Sequence, residues 1–341
     1  MTALRSTRSA WLTLLAGWVV SAAGVWLVVR AVNPASVGPA LANADYAWVL
    51  IAIVVVGLTF ITRTVRWAIL LHPIVYRGTT ITAAMLVGQT LNFLLPLRAG
   101  DVLRSIALSH APGSSVERVL GSVAIEKVWD WLMLTALVLI VALIAPLPEW
   151  FVAPARSLGV VAALALIGLG VVLSRRQQGV RLLDRLLMLG RLPERWRRSL
   201  AERANRLLDG MEPLRRRNVA WRAGVWSAIT WLLGIVTNVA VMRAFGVDSW
   251  PAAMFLMAVL MVGVALPPSI AALGIFEALT MLALGVFGVP VETALAIGVA
   301  LHLVIFAPAL VVGSLLAVWE HRAGRLSVLP SRTSMDPVTH D

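Results

Sequence analysis

The sequence predicts an all-α, polytopic membrane protein, and three observations support this fold class. Hydrophobic residues make up 60% of the 341 residues and charged residues only 13%, whereas soluble domains average about 25% charged residues. The mean hydropathy is +0.87. Apolar runs recur along the chain with lengths close to the roughly 20 residues that an α-helix needs to cross a bilayer. The chain contains no cysteine, which excludes disulfide frameworks and thiol chemistry.

Six apolar runs are long enough to be full spans. They occupy residues 11–29, 46–71, 116–145, 158–174, 221–245 and 291–319. The first run follows Arg5 and Arg8 and could be a signal peptide. Its length and the lack of a small-residue cleavage site before Arg30 favour a retained span instead.

Two further apolar segments, 80–110 and 252–287, are interrupted by proline. Pro96 breaks the first, and Pro267 and Pro268 break the second. Each apolar arm before its proline has about 15 residues, or about 22 Å as a helix, which is short of the roughly 30 Å hydrocarbon core. Because bare backbone polar groups cannot face lipid, such breaks line a cavity. We therefore expect two re-entrant, broken-helix hairpins.

The positions of the two breaks predict an inverted repeat. Each broken segment lies between a span with an arginine near its end, Arg66 or Arg243, and a span with intramembrane polar residues. This pairing is typical of transporters built from two inverted halves. The predicted boundaries are 1–320 for a single transmembrane domain, about 46–145 and 221–319 for its halves, 158–174 and 175–222 for the connecting span and basic loop, and 321–341 for a disordered cytoplasmic tail.

The net charge of +12 comes from arginines in the segments between spans. With six spans and two hairpins, nearly all of them fall on one side, which the positive-inside rule makes cytoplasmic. This topology places both termini in the cytoplasm and the protein in the inner membrane, next to anionic lipid headgroups. Apolar positions within 182–189 form one face of a basic helix, which leaves a membrane-surface helix and a solvated loop equally open. Nucleic-acid binding is not expected, because no recognised fold signature accompanies the charge.

The first break supplies four polar residues, Asn92, Arg98, Asp101 and Arg104. A guanidinium group matches phosphate with paired donors, so arginines at a membrane break suit a phospholipid or polyprenyl-phosphate headgroup. Asp101 is placed to be the N-cap of a helix that begins at residue 102. The alternative is structural: Asp101 pairs with one of the arginines to cap an interfacial turn.

The next span carries Glu126, Lys127 and Asp130 ahead of a clean apolar stretch. Glu126 and Asp130 share a helix face, as do Lys127 and Asp130. Lys127 is the only lysine among the 29 basic residues. Because charges at bilayer depth are costly, we expect a paired acid–base cluster that faces the bundle interior. It either contacts the ligand or couples to protons, or it holds the first broken segment in place.

The second half offers Glu277 and His302. Glu277 follows the second break and is the one carboxylate of its segment. His302 is the only histidine of the last span, where it serves either as a hydrogen-bonded core residue or as a proton relay beside Glu277. The histidines are scattered and the common catalytic motifs do not occur, so neither a metal site nor a cofactor is expected.

At these residues the chain resembles the transmembrane region of the lysylphosphatidylglycerol synthase family, which are flippase-like integral membrane proteins. The resemblance covers most of the chain. It is carried by Thr64-Val-Arg66-Trp67, Asn92-x-x-x-Pro96-x-Arg98-x-Gly100-Asp101-x-x-Arg104, Glu126-Lys127-x-x-Asp130 and Leu273-Gly274-Ile-Phe-Glu277. The motifs include no counterpart of the soluble aminoacyl-transferase domain of the full synthases. The resemblance therefore implies lipid translocation and not lysyl transfer.

The sequence departs from the family pattern in its second half. The family usually reads Ser-Pro-Gly-Gly-Leu-Gly-x-x-Glu at the second break. This chain has Ser269-Ile-Ala-Ala-Leu-Gly274-Ile-Phe-Glu277, with alanines in place of two glycines, which predicts a stiffer break. His302 also stands where members often carry arginine.

The leading functional hypothesis is a flippase or scramblase for a phospholipid or polyprenyl-phosphate lipid. Arg98 and Arg104 would bind the phosphate, and the acidic and basic residues of both halves would form the gate or coupling groups. The expected partners are membrane lipids, and self-association is left open. Two alternatives remain: an intramembrane enzyme that uses Asp101 or Glu126 as a base, and a non-catalytic scaffold of a lipid or glycan pathway such as a hopanoid-associated one.

Overall fold

A computed structural model describes residues 34–94, 99–109, 111–145, 148–153, 157, 159–160, 163–164, 194–263 and 273–323, and it is helical through most of them. The α-helices are α1 Pro34–Ala42, α2 Tyr46–Leu71, α3 Gly78–Leu94, α4 Ala99–Leu108, α5 Val116–Ile144, α6 Glu194–Met211, α7 Arg217–Ala244, α8 Trp250–Gly263, α9 Ile275–Gly285 and α10 Val291–Arg322. A short 3-10 turn, Glu212–Arg215, joins α6 to α7. No strand occurs in the described ranges. The all-α class predicted from composition is confirmed.

Four described helices, α2, α5, α7 and α10, are long and apolar enough to cross a membrane. They confirm four of the six predicted spans, with ends that differ from the prediction by at most four residues. The predicted spans at 11–29 and 158–174 lie wholly or largely outside the described residues. Large apolar side chains along one stripe of α2 are exposed, as lipid-facing residues of a bundle must be. They are Leu50, Val54, Leu58 and Ile61.

Both predicted interruptions separate short helices. Helices α3 and α4 flank residues 95–98, and α8 and α9 flank residues 264–272. At 1.5 Å per residue the 14-residue α8 is about 21 Å long and the 10-residue α4 about 15 Å, so neither reaches across the hydrocarbon core alone. Residues 95–98 and 264–272, including Pro96, Pro267 and Pro268, lie outside the described residues.

The described helices form two similar series. A long helix, two short helices and a long helix follow one another as α2 to α5 and again as α7 to α10. Each extensive packing contact within the first series, such as α3 with α4, has its counterpart in the second, such as α8 with α9. Contacts between the series also match, because α3 packs on α10 and α8 packs on α5.

Corresponding first helices of the two series run in opposite directions. The backbone N–H of Asp45, just before α2, donates to the carbonyl of Ala244 at the end of α7, with an N–O distance of 2.9 Å. Farther along, Thr62 of α2 accepts a 2.9 Å hydrogen bond from Thr230 of α7. Ascending residue numbers on α2 therefore meet descending numbers on α7.

Helices α3 and α4 cross where two glycines meet. A Cβ atom at Gly100 would lie 1.9 Å from the carbonyl oxygen of Gly88, and one at Gly88 would lie 2.8 Å from Cδ of Arg104. A larger side chain at Gly100 would displace backbone, and one at Gly88 would displace the Arg104 side chain. The crossing places the start of α4 directly against the end of α3.

Helix α6 lies within the predicted basic loop and packs on α5. Its Gly210 approaches Gly121 so closely that a Cβ at Gly210 would lie 1.9 Å from the carbonyl oxygen of Arg118. The amphipathic stretch predicted at 182–189 and nearly all of the predicted tail at 321–341 lie outside the described residues.

Candidate functional site

A buried arginine of α2 is the centre of the first polar cluster. Arg66 is 1% exposed, and it donates to Glu126 Oε1 at 2.9 Å and to Asp130 Oδ1 at 2.8 Å. It also donates to the hydroxyl of Ser227 on α7 at 3.2 Å. One guanidinium therefore joins three long helices, and it contacts both carboxylates that the i, i+4 spacing places on one face of α5.

A second arginine approaches the same carboxylate from α4. Arg104 donates to Glu126 Oε2 at 3.0 Å and pairs with Asp101 Oδ1 at 2.9 Å. Its guanidinium lies over the ring of Trp67, 4.6 Å from the centroid, a stacking that favours the cation. Trp67 in turn donates from its indole nitrogen to Ser122 at 3.1 Å. Glu126 is thus a bridge between two buried arginines.

Lys127 of α5 pairs with a carboxylate on α4 and not with Asp130 on its own helix. Lys127 Nζ lies 3.4 Å from Asp101 Oδ2, while Asp130 pairs with Arg66. The side chains of Lys127 and Asp130 are 34% and 31% exposed, against 8% for Glu126. The cluster is therefore closed around Glu126 and open at Lys127 and Asp130.

Asp101 is not the N-cap residue that the sequence predicts. Helix α4 begins at Ala99, so Asp101 lies in its first turn. The backbone N–H of Asp101 donates to Oδ1 of Asn92 at 3.1 Å. Because the first N–H groups of a helix lack intrahelical partners, Asn92 of α3 satisfies one of them and leaves the Asp101 carboxylate for Arg104 and Lys127.

The second polar cluster joins α9 to α10. His302 Nδ1 lies 2.7 Å from Glu277 Oε1, and both residues are buried. The other carboxylate oxygen of Glu277 accepts from the backbone N–H of Gly274 at 2.8 Å. Gly274 has a φ of +77°, which side-chain-bearing residues rarely adopt. This explains the Leu-Gly-x-x-Glu spacing, because the glycine turn lets Glu277 cap its own helix.

Aromatic rings surround the histidine. The ring centroids of Phe276 and Phe306 lie 5.0 Å and 4.2 Å from that of His302. The predicted neighbourhood of Glu277 and His302 is present, with His302 held on one side by a carboxylate and on the others by apolar rings.

The ion pairs of the two clusters have equivalent positions. Asp101 is the third residue of α4 and Glu277 the third of α9, while Lys127 is the twelfth residue of α5 and His302 the twelfth of α10. Each pair thus joins the first turn of a post-break helix to the same level of the following long helix. Within the part of the chain that the structure describes, no hydrogen bond or ion pair links one cluster to the other.

The structure brings together eight of the nine residues predicted for the site, in two groups. The first group is Asn92, Asp101, Arg104, Glu126, Lys127 and Asp130, and the second is Glu277 and His302. Arg98, the ninth, lies outside the described residues. Outside both groups, Asn238 of α7 donates to the carbonyl of Ala253 on α8 at 3.1 Å and so joins these two helices.

The sequence locates Arg66 near the end of a span but does not predict it as a site residue. The available signal was its spacing, because Arg63 and Arg66 are a helical turn apart inside an otherwise apolar run. Arg66 and Trp67 also belong to the Thr64-Val-Arg66-Trp67 motif of the family resemblance. Ser227 has no comparable signal, since serine is common in spans and its partner comes from another helix.

The fold and site define a polytopic, all-helical membrane protein with buried charge clusters beside two interrupted segments. The chain belongs to the family described as the lysylphosphatidylglycerol synthase TM region, whose model matches residues 14–313. The resemblance read from the motifs is therefore confirmed.

A curated relative is the glycosyltransferase AglD of Haloferax volcanii, which is 27% identical over 339 residues. The match covers 90% of this chain and 54% of the relative. The chain thus spans about half the length of this relative.

Proposed function

We propose that the protein translocates a lipid with a phosphate-bearing headgroup, a phospholipid or polyprenyl-phosphate type, across the cytoplasmic (inner) membrane as a flippase or scramblase. The observation that carries this proposal is the half-open ion cluster of Asp101, Glu126, Lys127 and Asp130 beside the first interruption. Charges inside spans are costly and mark ligand or ion pathways. A cluster that is closed on one side and accessible on the other suits a headgroup path.

The arrangement of the helices supports an inverted repeat. The two series share their order of lengths and their packing contacts, and α2 and α7 run antiparallel. Substrate sites of such transporters lie where the broken helices of the two halves meet. We infer that the two interruptions face one path, with both termini cytoplasmic.

The two clusters have different roles in this proposal. Asn92, Asp101 and Arg104 shape the first break, where Arg98 would contact the phosphate, and Glu126, Lys127 and Asp130 form the gate. Glu277 and His302 would provide the coupling groups of the opposite half. Because Glu277 and His302 share one short contact, a proton taken up by the pair would add one positive charge to the second half, whereas a proton shifted within the pair would leave that charge unchanged.

The contacts of the carboxylates favour transport over the enzymatic alternative. Asp101 and Glu126 each pair with two basic groups. A general base needs an acceptor atom within reach of the substrate proton, and these oxygens are already engaged. Formation of product from a lipid-linked substrate in detergent, without any bilayer, would reverse this preference.

A second candidate is a non-catalytic membrane component of a lipid-linked glycan pathway. The observation that favours it is the match to a glycosyltransferase over about half of that protein's length. This role predicts that Lys127→Gln and Glu277→Gln leave cellular function intact while the protein folds normally.

Translocation is tested with fluorescent phospholipids in proteoliposomes. The protein is reconstituted at increasing density, and dithionite bleaching reports how much inner-leaflet lipid becomes accessible. We expect the bleached fraction to rise with protein density for an anionic lipid. Bleaching equal to that of protein-free vesicles for every phosphate lipid tested would contradict the proposal.

A further inference from the structure

Arg63 is a cation with no carboxylate partner in the described part of the chain. It lies on α2 one helical turn before Arg66, about 12 Å from the end of that helix at 1.5 Å per residue. Its Nη1 donates to the neutral Oε1 of Gln89 on α3 at 3.0 Å. Its Nε is buried and makes no hydrogen bond to any described residue.

The carboxylates nearby are all engaged by other cations. Glu126 receives Arg66 and Arg104, Asp130 receives Arg66, and Asp101 receives Arg104 and Lys127. The described cluster thus holds four basic side chains, counting Arg63, against three acidic ones. Within the described cluster one positive charge is therefore in excess, and Arg63 lies inside a helix long and apolar enough to cross a membrane.

An unpaired guanidinium in a span is costly, and its unused donors suit a phosphate oxygen. Arg104 is a poorer candidate than the sequence suggested, because it is buried between two carboxylates and Trp67. Arg63 is half-buried, and Gln89 and Asn92, a turn apart on α3, extend from it toward the first break. Asn92 in turn accepts from the first turn of α4, the helix that carries Asp101 and Arg104 of the ion cluster.

We propose that Arg63 and Gln89 form the binding site for a monoanionic phosphate diester headgroup, with Arg63 as the charge that neutralises it. The site rests on the proposed function, because it names the class of lipid that would be moved. The single excess positive charge of the described cluster matches the single negative charge of a phosphatidylglycerol-type headgroup.

Gln89→Glu is the most informative variant. It changes no side-chain volume and places a carboxylate 3.0 Å from Arg63, which gives the arginine an internal counterion. The phosphate site would then be neutralised, while the fold would be as stable as wild type or more so. If Arg63 has a purely structural role, Gln89→Glu should leave lipid binding unchanged.

The experiment measures apparent Kd values for dioleoyl phosphatidylglycerol from lipid-dependent thermal stabilisation of the full chain in detergent. We expect Gln89→Glu and Arg63→Gln to weaken binding at least about tenfold, since a charge-assisted hydrogen bond contributes that much. Arg63→Lys, which keeps the charge and loses the fork, should fall between them and wild type. Arg222→Gln, which removes an exposed arginine on α7, is the matched control and should bind as wild type.

Wild-type affinity in both Gln89→Glu and Arg63→Gln would overturn the site. Inorganic phosphate and glycerol 3-phosphate are added as competitors of lipid binding. Competition at concentrations near that of the lipid would assign the site to a free anion and contradict the lipid assignment. Lipid binding that depends on Arg63 without any translocation would overturn the proposed function and leave the site. Translocation by Arg63→Gln at the wild-type rate would overturn the site and leave the proposed function intact.

Discussion

Arg66 of α2 and Glu126 of α5 form a buried ion pair with an N–O distance of 2.9 Å. The other oxygen of Glu126 accepts from Arg104 of α4. Through this one carboxylate, the helix that follows the first break is fixed to two of the long helices. The position of α4 against α2 and α5 is therefore set by electrostatics as well as by apolar packing.

Replacing Glu126 with glutamine should destabilise the protein strongly. Two buried arginines would lose their shared counterion, and breaking a buried pair typically costs about 3–5 kcal/mol. The measurement is the unfolding temperature in detergent. Glu194→Gln, which removes an exposed partner of Arg198 on α6, should change stability by less than about 0.5 kcal/mol. Equal stability of the two variants would contradict the bridging role of Glu126.

The α3–α4 crossing predicts that Gly100→Ala disrupts the packing of α3 on α4. The added Cβ would lie 1.9 Å from the carbonyl of Gly88, so backbone must move, at a cost of at least about 1–3 kcal/mol. Gly57→Ala in α2 is the matched control, because its Cβ would have open space and alanine favours a helix over glycine. The unfolding temperature should fall for Gly100→Ala and stay the same or rise for Gly57→Ala. An unchanged unfolding temperature in Gly100→Ala would contradict the close crossing of α3 and α4.

Glu277 should tolerate glutamine far better than alanine. Glutamine can still accept from the Gly274 N–H and reach His302, whereas alanine leaves a helix N–H and a buried histidine without partners. We expect Glu277→Ala to cost about 1–3 kcal/mol and Glu277→Gln clearly less. Comparing the unfolding temperatures of these variants with their translocation rates then distinguishes a structural role of Glu277 from a coupling role. A Gln variant that is stable but translocates slowly would show that the negative charge itself matters.

Lys127, unlike Glu277, should contribute little to the stability of the protein. Its ion pair with Asp101 is long, at 3.4 Å, and a third of its side chain is exposed. Lys127→Gln should therefore change stability by no more than about 1 kcal/mol while it lowers the translocation rate several-fold. A wild-type rate in this variant would exclude Lys127 from the gate.

The sequence was sufficient for much of this architecture because hydrophobic length and proline position are local properties. Span 46–71 was predicted with both ends correct, and both interruptions fall between helices. Partner choice is not local. The i, i+3 spacing suggested that Lys127 pairs with Asp130, but Arg66 occupies Asp130 and Lys127 turns to Asp101. That outcome depends on how α2 and α4 approach α5.

The partners of Arg66 likewise could not be predicted from the sequence. On sequence alone, Arg66 is an arginine near the end of a span, and it serves only to support the predicted repeat. Only the packing of α2 against α5 and α7 shows that it is buried and bound by two carboxylates. The sequence identifies Asn92 as a polar residue of the first break, and the structure shows that it accepts from the first turn of α4.

Lipid movement catalysed by the purified protein tests the central claim most directly. Proteoliposomes with labelled phosphatidylglycerol are compared for wild type, Lys127→Gln and the exposed control Arg222→Gln at equal protein density. The account predicts bleaching of inner-leaflet lipid with wild type and Arg222→Gln, and markedly slower bleaching with Lys127→Gln. Protein-free rates in all three, from protein that is folded by thermal unfolding, would contradict it.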